Sequence, residues 1–294
     1  MSRELLVAGS IALDTIDGPF GTTQDELGGS ALYFALAASL IMPVRMVAPV
    51  GRESAGLLRD VIGERPIDIS RVTVLDAPTY RWRAQQEQSR NIDLGSRDSI
   101  YDLWEPSPPS GYAGWAFVGS MRPDRQSQLM ASLASAELLA ADAMLSYVRA
   151  QTPHAREVLR HAGWHFCNHE EFAALGGHDP EAFRREWNLD GLVIKAGPGG
   201  VTAYTARAAV HVPALRNEPV VDTTGAGDAA AAGILAHWVM AGGEATALQE
   251  SLVWGVACAS IAIADIGLRA LRKATREDLD VRVAEVQKQM SRAR

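Results

Sequence analysis

"VVDTTGAGDAAAAGIL", Val220 to Leu235, is the stretch on which the fold turns. An apolar strand-like run ends in Asp222, threads Gly225-Ala226-Gly227, and opens an alanine-rich helical pattern at Asp228. A glycine turn between strand and helix leaves the first helical N–H groups without intrahelical partners. With the helix dipole behind them, those groups are a ready place for an anion. Gly225, Ala226 and Gly227 carry no bulk that would keep an anion off the backbone. Asp228 is the odd element, because a carboxylate repels phosphate. Accepting a proton from a hydroxyl that attacks the phosphate would give it a task. The bland alternative is a first-turn acid beside two turn glycines. The length of the string weighs against it: D-T-x-G-A-G-D should arise by chance in such a chain with a probability on the order of 10⁻⁵.

The chain has 294 residues, 47% of them hydrophobic and 21% charged, enough for one large α/β domain or two small ones. A net charge of -7 argues against a nucleic-acid backbone or an acidic membrane as main partner, while leaving room for local positive potential. Cys167 and Cys258 make neither a disulfide framework nor a zinc site, which points to a reduced, cytoplasmic setting. The opening "MSRELLVAGSIALD" has no signal-peptide pattern. The run "LVWGVACASIAIADIG" is broken by Gly255 and Asp265 and reads as a buried helix, not a membrane span.

Strands are expected at Leu5–Ala8, Arg45–Val50, Trp115–Gly119, Ala143–Val148, Trp164–Cys167 and Leu192–Lys195. Helices are expected around Ser30–Ile41, Ala55–Glu64, Arg125–Leu139, Pro153–His161 and Pro180–Trp187. This alternation builds an α/β fold with a mostly parallel sheet covered on both faces. Two segments break the rhythm. Asp14–Asp25 holds Gly18, Pro19 and Gly21, and Ser70–Asp102 reads as polar strands ("RVTVLD", "TYRWRAQQ") without a helix between them. The expectation is one domain over residues 1–294, with strands of a small lid sheet inserted at about 14–25 and 70–102. "EPSPPSG" (Glu105–Gly111) then returns the chain to the body, and the charged tail after Arg276 packs outside.

"DTTGAGD" resembles the C-terminal signature of the ribokinase-like, or PfkB, carbohydrate kinases. Other pieces fall in that family's order from about Leu5 to Leu279. "VAGSIALDTI" resembles its first strand, "LGGSALYFALAASLIMPVRMVAPVGRESAG" its di-glycine signature, "NHEE" its N-x-x-E motif, and "VIKAGPGGVTAY" the strand–loop–strand bordering its nucleotide. The last signature is highly specific; the others are individually weak. The resemblance implies a three-layer α/β/α fold with a small β-sheet lid, and transfer of the ATP γ-phosphoryl group to an alcohol, usually a sugar or nucleoside hydroxymethyl. It makes Asp228 the catalytic base and the Gly225–Asp228 amides, with Thr224 beside them, the anion hole. It also implies a homodimer formed through the lid, for which an exposed sheet edge gives a physical motive.

The resemblance further implies that Asp14, at the end of the first strand, contacts substrate hydroxyls; the alternative is a surface turn acid. Gly28 and Gly29 would let the backbone approach a polyol, or simply cap the helix that follows. Where many members carry a sugar-binding asparagine, this chain has Tyr33, a departure that makes ribose itself a poor specific guess. Asn168 and Glu171 would organise magnesium through water; alternatively, Asn168 caps a helix. Lys195, Gly197 and Gly200 lack the Walker pattern and read as a β-turn bordering ATP, with Lys195 near the phosphates. Asp222 and Thr224 would help bind a monovalent cation, potassium, in some relatives. Trp254 stands where many relatives have a smaller polar residue, and Gly267 is a turn residue near the adenine.

Arg81 and Arg83 read as solvent or interface charges sooner than as anion ligands, and His165 and His169 as ordinary. Tyr80, Trp82 and Trp104 permit stacking on a base or packing at the lid's root. The expected activity is therefore a magnesium- and ATP-dependent kinase acting on a carbohydrate, with a nucleoside as runner-up. A non-catalytic nucleotide or sugar sensor is the alternative from another class. A dinucleotide oxidoreductase is disfavoured, because "GSIALD" stands where G-x-G-x-x-G would be.

Overall fold

Leu5, Leu6, Val7 and Ala8 are all fully buried, yet they serve two different cores: Leu5 and Val7 join one apolar cluster, Leu6 and Ala8 the other. A strand that feeds apolar side chains to both faces sits inside a layered sheet. The computed structural model describes residues 4–87, 90–216 and 220–292. Nine strands form the main sheet: β1 (Leu5–Ala8), β4 (Val44–Gly51), β5 (Ile67–Leu75), β8 (Trp115–Val118), β9 (Leu138–Asp142), β10 (Trp164–Asn168), β11 (Gly191–Lys195), β12 (Val201–Thr205) and β13 (Ala209–Val212). Their spatial order is β13-β12-β11-β10-β9-β8-β1-β4-β5. Pairing is parallel from β5 to β11, and only β12 and β13 run antiparallel to their neighbours. The order reverses around β1, which places the carboxyl ends of β1, β8, β9 and β10 at the crevice where open α/β sheets bind ligands.

Helices cover both faces. One face carries α1 (Ser30–Ala38), α2 (Ala55–Ile62), α9 (Ala226–Met240), α10 (Leu248–Ala262), α11 (Arg269–Lys273) and α12 (Arg276–Arg292). The other carries α3 (Ile100–Leu103), α4 (Pro123–Ser132), α5 (Leu145–Ala150), α6 (Thr152–His161), α7 (His169–Ala174) and α8 (Pro180–Glu186). α9 and α10 pack so closely that a side chain on Gly255 would collide with Ile234, and one on Gly233 with the Trp254 carbonyl. The expected three layers are present.

A second sheet of four strands, ordered β3-β2-β6-β7, uses β2 (Ala12–Gly18), β3 (Gly21–Gly28), β6 (Tyr80–Glu87) and β7 (Arg90–Arg97). Two antiparallel hairpins, β2–β3 and β6–β7, join through the parallel pair β2–β6. Along β6, Tyr80, Ala84 and Gln86 are buried and Trp82 is half-buried, while Arg83, Gln85 and Glu87 are exposed. The alternation gives the small sheet an inner and an outer face. Residues 88–89 of the expected second insertion lie outside the described residues.

Four expectations need correction. The run at 220–222 that leads into the glycine turn is not a strand. "RVTVLD" is not in the small sheet; it belongs to β5, which pairs with β4 at the edge of the main sheet. Ala143–Val148 is not a strand. The strand is β9, Leu138–Asp142, and Leu145–Ala150 is helical, while the preceding helix ends at Ser132. A strand buried on both faces has no two-residue period to betray it, and its leucines and alanines have helical propensity. Finally, Asp14 does not end the first strand: β1 stops at Ala8, and Asp14 lies within β2.

Candidate active site

The turn at Thr223–Gly225 is held by its own acid. Asp222 Oδ1 accepts from the Thr224 amide (2.9 Å) and hydroxyl (2.7 Å), and Oδ2 accepts from the Gly267 amide (2.9 Å). Gly225 then takes a left-handed conformation (φ 71°) as the cap of α9. A side chain there would run into the Tyr33 ring, so glycine is required twice over. The Ala226 amide reaches the Thr223 carbonyl at 3.3 Å, whereas those of Gly227 and Asp228 are first-turn donors with no carbonyl one turn behind. A monovalent cation at Asp222 would have to share its carboxylate with these three donors. The turn thus has the open amides that its sequence promised.

Lys195, at the end of β11, reaches this turn: a side chain on Gly227 would lie 3.0 Å from its Nζ. Its ammonium pairs with Asp142 at the end of β9. Burial alone would lower the Lys195 pKa, but Asp142 and Glu171 beside it raise it above the ordinary value. Glu171 is pushed up to about 7 by burial, with Lys195 opposing and Asp142 reinforcing. Asp228 is raised well above an ordinary carboxylate, first by burial, then by Asp142. Asp142, Glu171 and Asp228 therefore confront one ammonium, a local excess of negative charge that suits a divalent cation. Among the described residues no three His, Cys, Asp or Glu side chains could cage a metal ion. The donor set instead suits magnesium held largely through its own waters.

Asn168 performs the local task that its spacing also allowed. Its Oδ1 accepts from the Glu170 and Glu171 amides (both 2.9 Å), and Glu171 Oε2 accepts from the Asn168 amide (2.7 Å), a complete capping box. Asn168 thus orients Glu171, which keeps its other oxygen for the site. Gly197 and Gly200 sit in a short turn with positive φ, and a side chain on Gly200 would strike the Val212 carbonyl. Turn geometry accounts for both.

On the acceptor side, a side chain on Gly28 would strike the Asp14 carboxylate, and Gly29 (φ 95°) lies against the Ser10 carbonyl and Ala12 amide. The close approach these glycines permit is to the protein's own groups. Ser10 and Ser30 knot the same corner: each amide donates to the other's hydroxyl (3.1 and 3.0 Å), and Ser30 Oγ donates to the Ser120 carbonyl (2.8 Å). Burial pushes the Asp14 carboxyl up to about 8, with Asp222 adding and the Gly29 amide offsetting. Tyr33 is almost wholly buried between Gly28 and Gly225, and its hydroxyl has no partner among the described residues. Burial and the carboxylates of Asp14, Asp222, Asp228 and Glu26 hold that phenol protonated, a donor only in need of an acceptor.

Across β2 and β6, Asp14 stands opposite Trp82, so both lie on one face of the small sheet. Trp82 Nε1 donates to Asp93 (3.2 Å), which fixes the indole. Tyr80 and Trp104 pack around Tyr101 at the root of the sheet. Arg81 pairs with Asp25 and Arg83 is exposed, so neither faces the site. Trp254 is enclosed between the His237 ring (centroids 5.0 Å apart) and the Arg276 guanidinium (4.8 Å). His165 is buried, its pKa lowered to about 3 by burial and by Lys195. Asp142 was missed because most of its strand fell in the gap between the expected helix ending at Leu139 and the expected strand beginning at Ala143. An apolar run ending in an acid, "LLAAD", was the available signal, as in "IALD".

A family model for pfkB family carbohydrate kinases matches residues 20–274. The chain belongs to that family. It is a phosphotransferase with an alcohol group as acceptor. The chain is similar to the cytidine kinase of Thermococcus kodakarensis, 25% identical over 250 residues that cover 80% of this chain and 88% of the relative. Its fold resembles that of a Burkholderia thailandensis nucleoside kinase in complex with ADP-inosine (TM-score 0.78, 20% identity, 96% of this chain and 95% of that one). It also resembles aminoimidazole riboside kinase from Salmonella enterica complexed with aminoimidazole riboside and an ATP analogue (TM-score 0.76, 21% identity, 96% and 100%). No helix among the described residues is long and apolar enough to cross a membrane.

Proposed function

We propose that this PfkB-family enzyme transfers the γ-phosphoryl group of ATP to the hydroxymethyl of a ribonucleoside. The pairing of Asp14 with Trp82 carries the preference for a nucleoside over the free sugar favoured by sequence. A carboxylate for sugar hydroxyls and a fixed, half-buried indole sit side by side on the inner face of the small sheet. The similarity to a cytidine kinase and to nucleoside-kinase folds supports the same reading.

In this reading Asp228 takes the proton of the attacking hydroxyl, and the open amides of the Gly225–Asp228 turn receive the migrating phosphoryl group. Burial and the neighbouring acids make Asp228 a stronger base than an ordinary carboxylate, and Lys195, with the cation that accompanies the nucleotide, offsets those acids so that it can ionise. Lys195 lies where it can meet phosphate oxygens, and Glu171 and Asp142 would hold the water shell of a magnesium ion, which supplies charge neutralisation on the phosphates. The small sheet acts as a lid that excludes water as a competing acceptor.

The test is a panel of ribonucleosides and free sugars incubated with Mg-ATP, with product identified by mass and phosphorus NMR. A nucleoside 5′-phosphate is expected, with kcat/KM at least about tenfold above that for any free pentose or hexose. Efficient turnover of a free sugar with none of a nucleoside would overturn the assignment.

A further inference from the structure

Gln86 and Asn91 stand opposite each other on β6 and β7, near the end of the second hairpin. Gln86 is buried on the inner face of the small sheet, and its Nε2 has no hydrogen-bond partner among the described residues. Asn91 Oδ1 is likewise buried and without a partner. The other end of the Asn91 amide is engaged: Nδ2 donates to Thr224 Oγ1 at 2.7 Å. The Thr224 hydroxyl spends its single proton on Asp222, so towards Asn91 it can only accept. The Asn91 amide therefore has one sensible orientation, with Oδ1 left open. Thr224 is the residue before the capping glycine of α9, so this contact joins the small sheet to the anion-binding turn.

A buried donor and a buried acceptor on facing strands, neither satisfied among the described residues, are a costly arrangement unless something arrives to pair with them. The group that fits must accept from one amide and donate to the other. We propose that Gln86 and Asn91 determine acceptor specificity by reading a vicinal diol: Gln86 Nε2 donates to one hydroxyl and Asn91 Oδ1 accepts from its neighbour. The inference rests on the nucleoside-kinase reading, since the ribosyl 2′,3′-diol is the group concerned. It assigns two acceptor contacts to the second hairpin and ties them, through Thr224, to the turn that receives phosphate. Diol binding and seating of the small sheet on that turn are then one event.

The experiment is isothermal titration calorimetry without ATP, using uridine, cytidine, adenosine and inosine, each against its 2′,3′-dideoxy analogue. The wild-type chain should bind at least one ribonucleoside about tenfold or more tightly than its dideoxy form, and Gln86→Leu and Asn91→Ala should each lower that ratio at least about threefold, with the Asp14 contact left in place. Ligand-free Gln86→Leu should melt about 2–4 °C higher than wild type, because an unpaired buried amide has been replaced by an apolar group. The proposal is overturned if the ratio survives in both variants, if wild type does not discriminate, or if no ribonucleoside binds. A lower Tm for Gln86→Leu with an unchanged ratio would make the amide structural and also overturn it. Discriminating binding without phosphorylation would instead sink the nucleoside-kinase reading and leave the diol contacts standing.

Discussion

Asp228 and Gly225 can be separated by experiment because one supplies chemistry and the other supplies shape. Asp228→Asn keeps size and burial while removing the base and a crowded negative charge. The variant should keep its fold and nucleotide affinity and lose ~10³-fold or more in kcat, measured by steady-state ADP release. Gly225→Ala should fail differently. Its new methyl meets the Tyr33 ring in a backbone conformation that L residues avoid, so Tm and kcat should fall together, with stability lower by about 1–3 kcal/mol in urea unfolding. Lys195→Met would leave Asp142, Glu171 and Asp228 without their ammonium. A loss of about 3–5 kcal/mol is expected near neutral pH, with partial recovery in acid as the carboxylates take up protons. The glycines and Asp228 were legible as residues, because a turn that must admit an anion tolerates few substitutes. Asp142, Gln86 and Asn91 were not legible, because their importance lies in what the fold sets opposite them.

At the scale of elements, the N-terminus of α7 shows a structural reading and a functional reading holding together. The capping box that fixes the helix start also aims Glu171. Asn168→Ala should cost about 1 kcal/mol of stability by chemical denaturation and raise the magnesium concentration needed for half-maximal turnover, since the Glu170 and Glu171 amides lose their side-chain acceptor and the first turn that carries Glu171 loosens, even though the residue 168 amide still reaches Glu171 Oε2. A drop in stability with an unchanged magnesium titration would confine Asn168 to capping. Elements whose faces differ were easy to read: β6, with alternate residues buried, announces a sheet with one wet side. β9 was passed over and α5 was expected as a strand because a strand buried on both faces and a short apolar helix offer the same composition. The edge strand β5 looked like part of the insertion because most of it is only half-buried, as an edge permits.

For the whole molecule, burying Asp14 among other acids makes stability depend on pH. Its carboxyl titrates near 8 when folded against an ordinary 3.8, so between those values the folded chain holds a proton that the unfolded chain has released. Folding stability should therefore fall as pH rises from about 4 through about 8, the reverse of the usual carboxylate behaviour. Thermal melts of ligand-free protein from pH 5 to 8.5 at constant ionic strength should show a declining Tm, and Asp14→Asn should flatten the decline. An identical slope in that variant would assign the effect to other groups. The layered architecture followed from strand–helix alternation, a long-range property that every segment repeats. The meeting of the two hairpins at a parallel pair did not, because no local pattern records which distant strands will be neighbours.

The peptide chain passes between the large and small sheets four times, before Ala12, after Gly28, before Tyr80 and after Arg97. Two of these connections are short, residues 9–11 and 76–79, and the other two lead into α1 and α3. A plate tied to its frame at four points has little freedom to lift one corner alone.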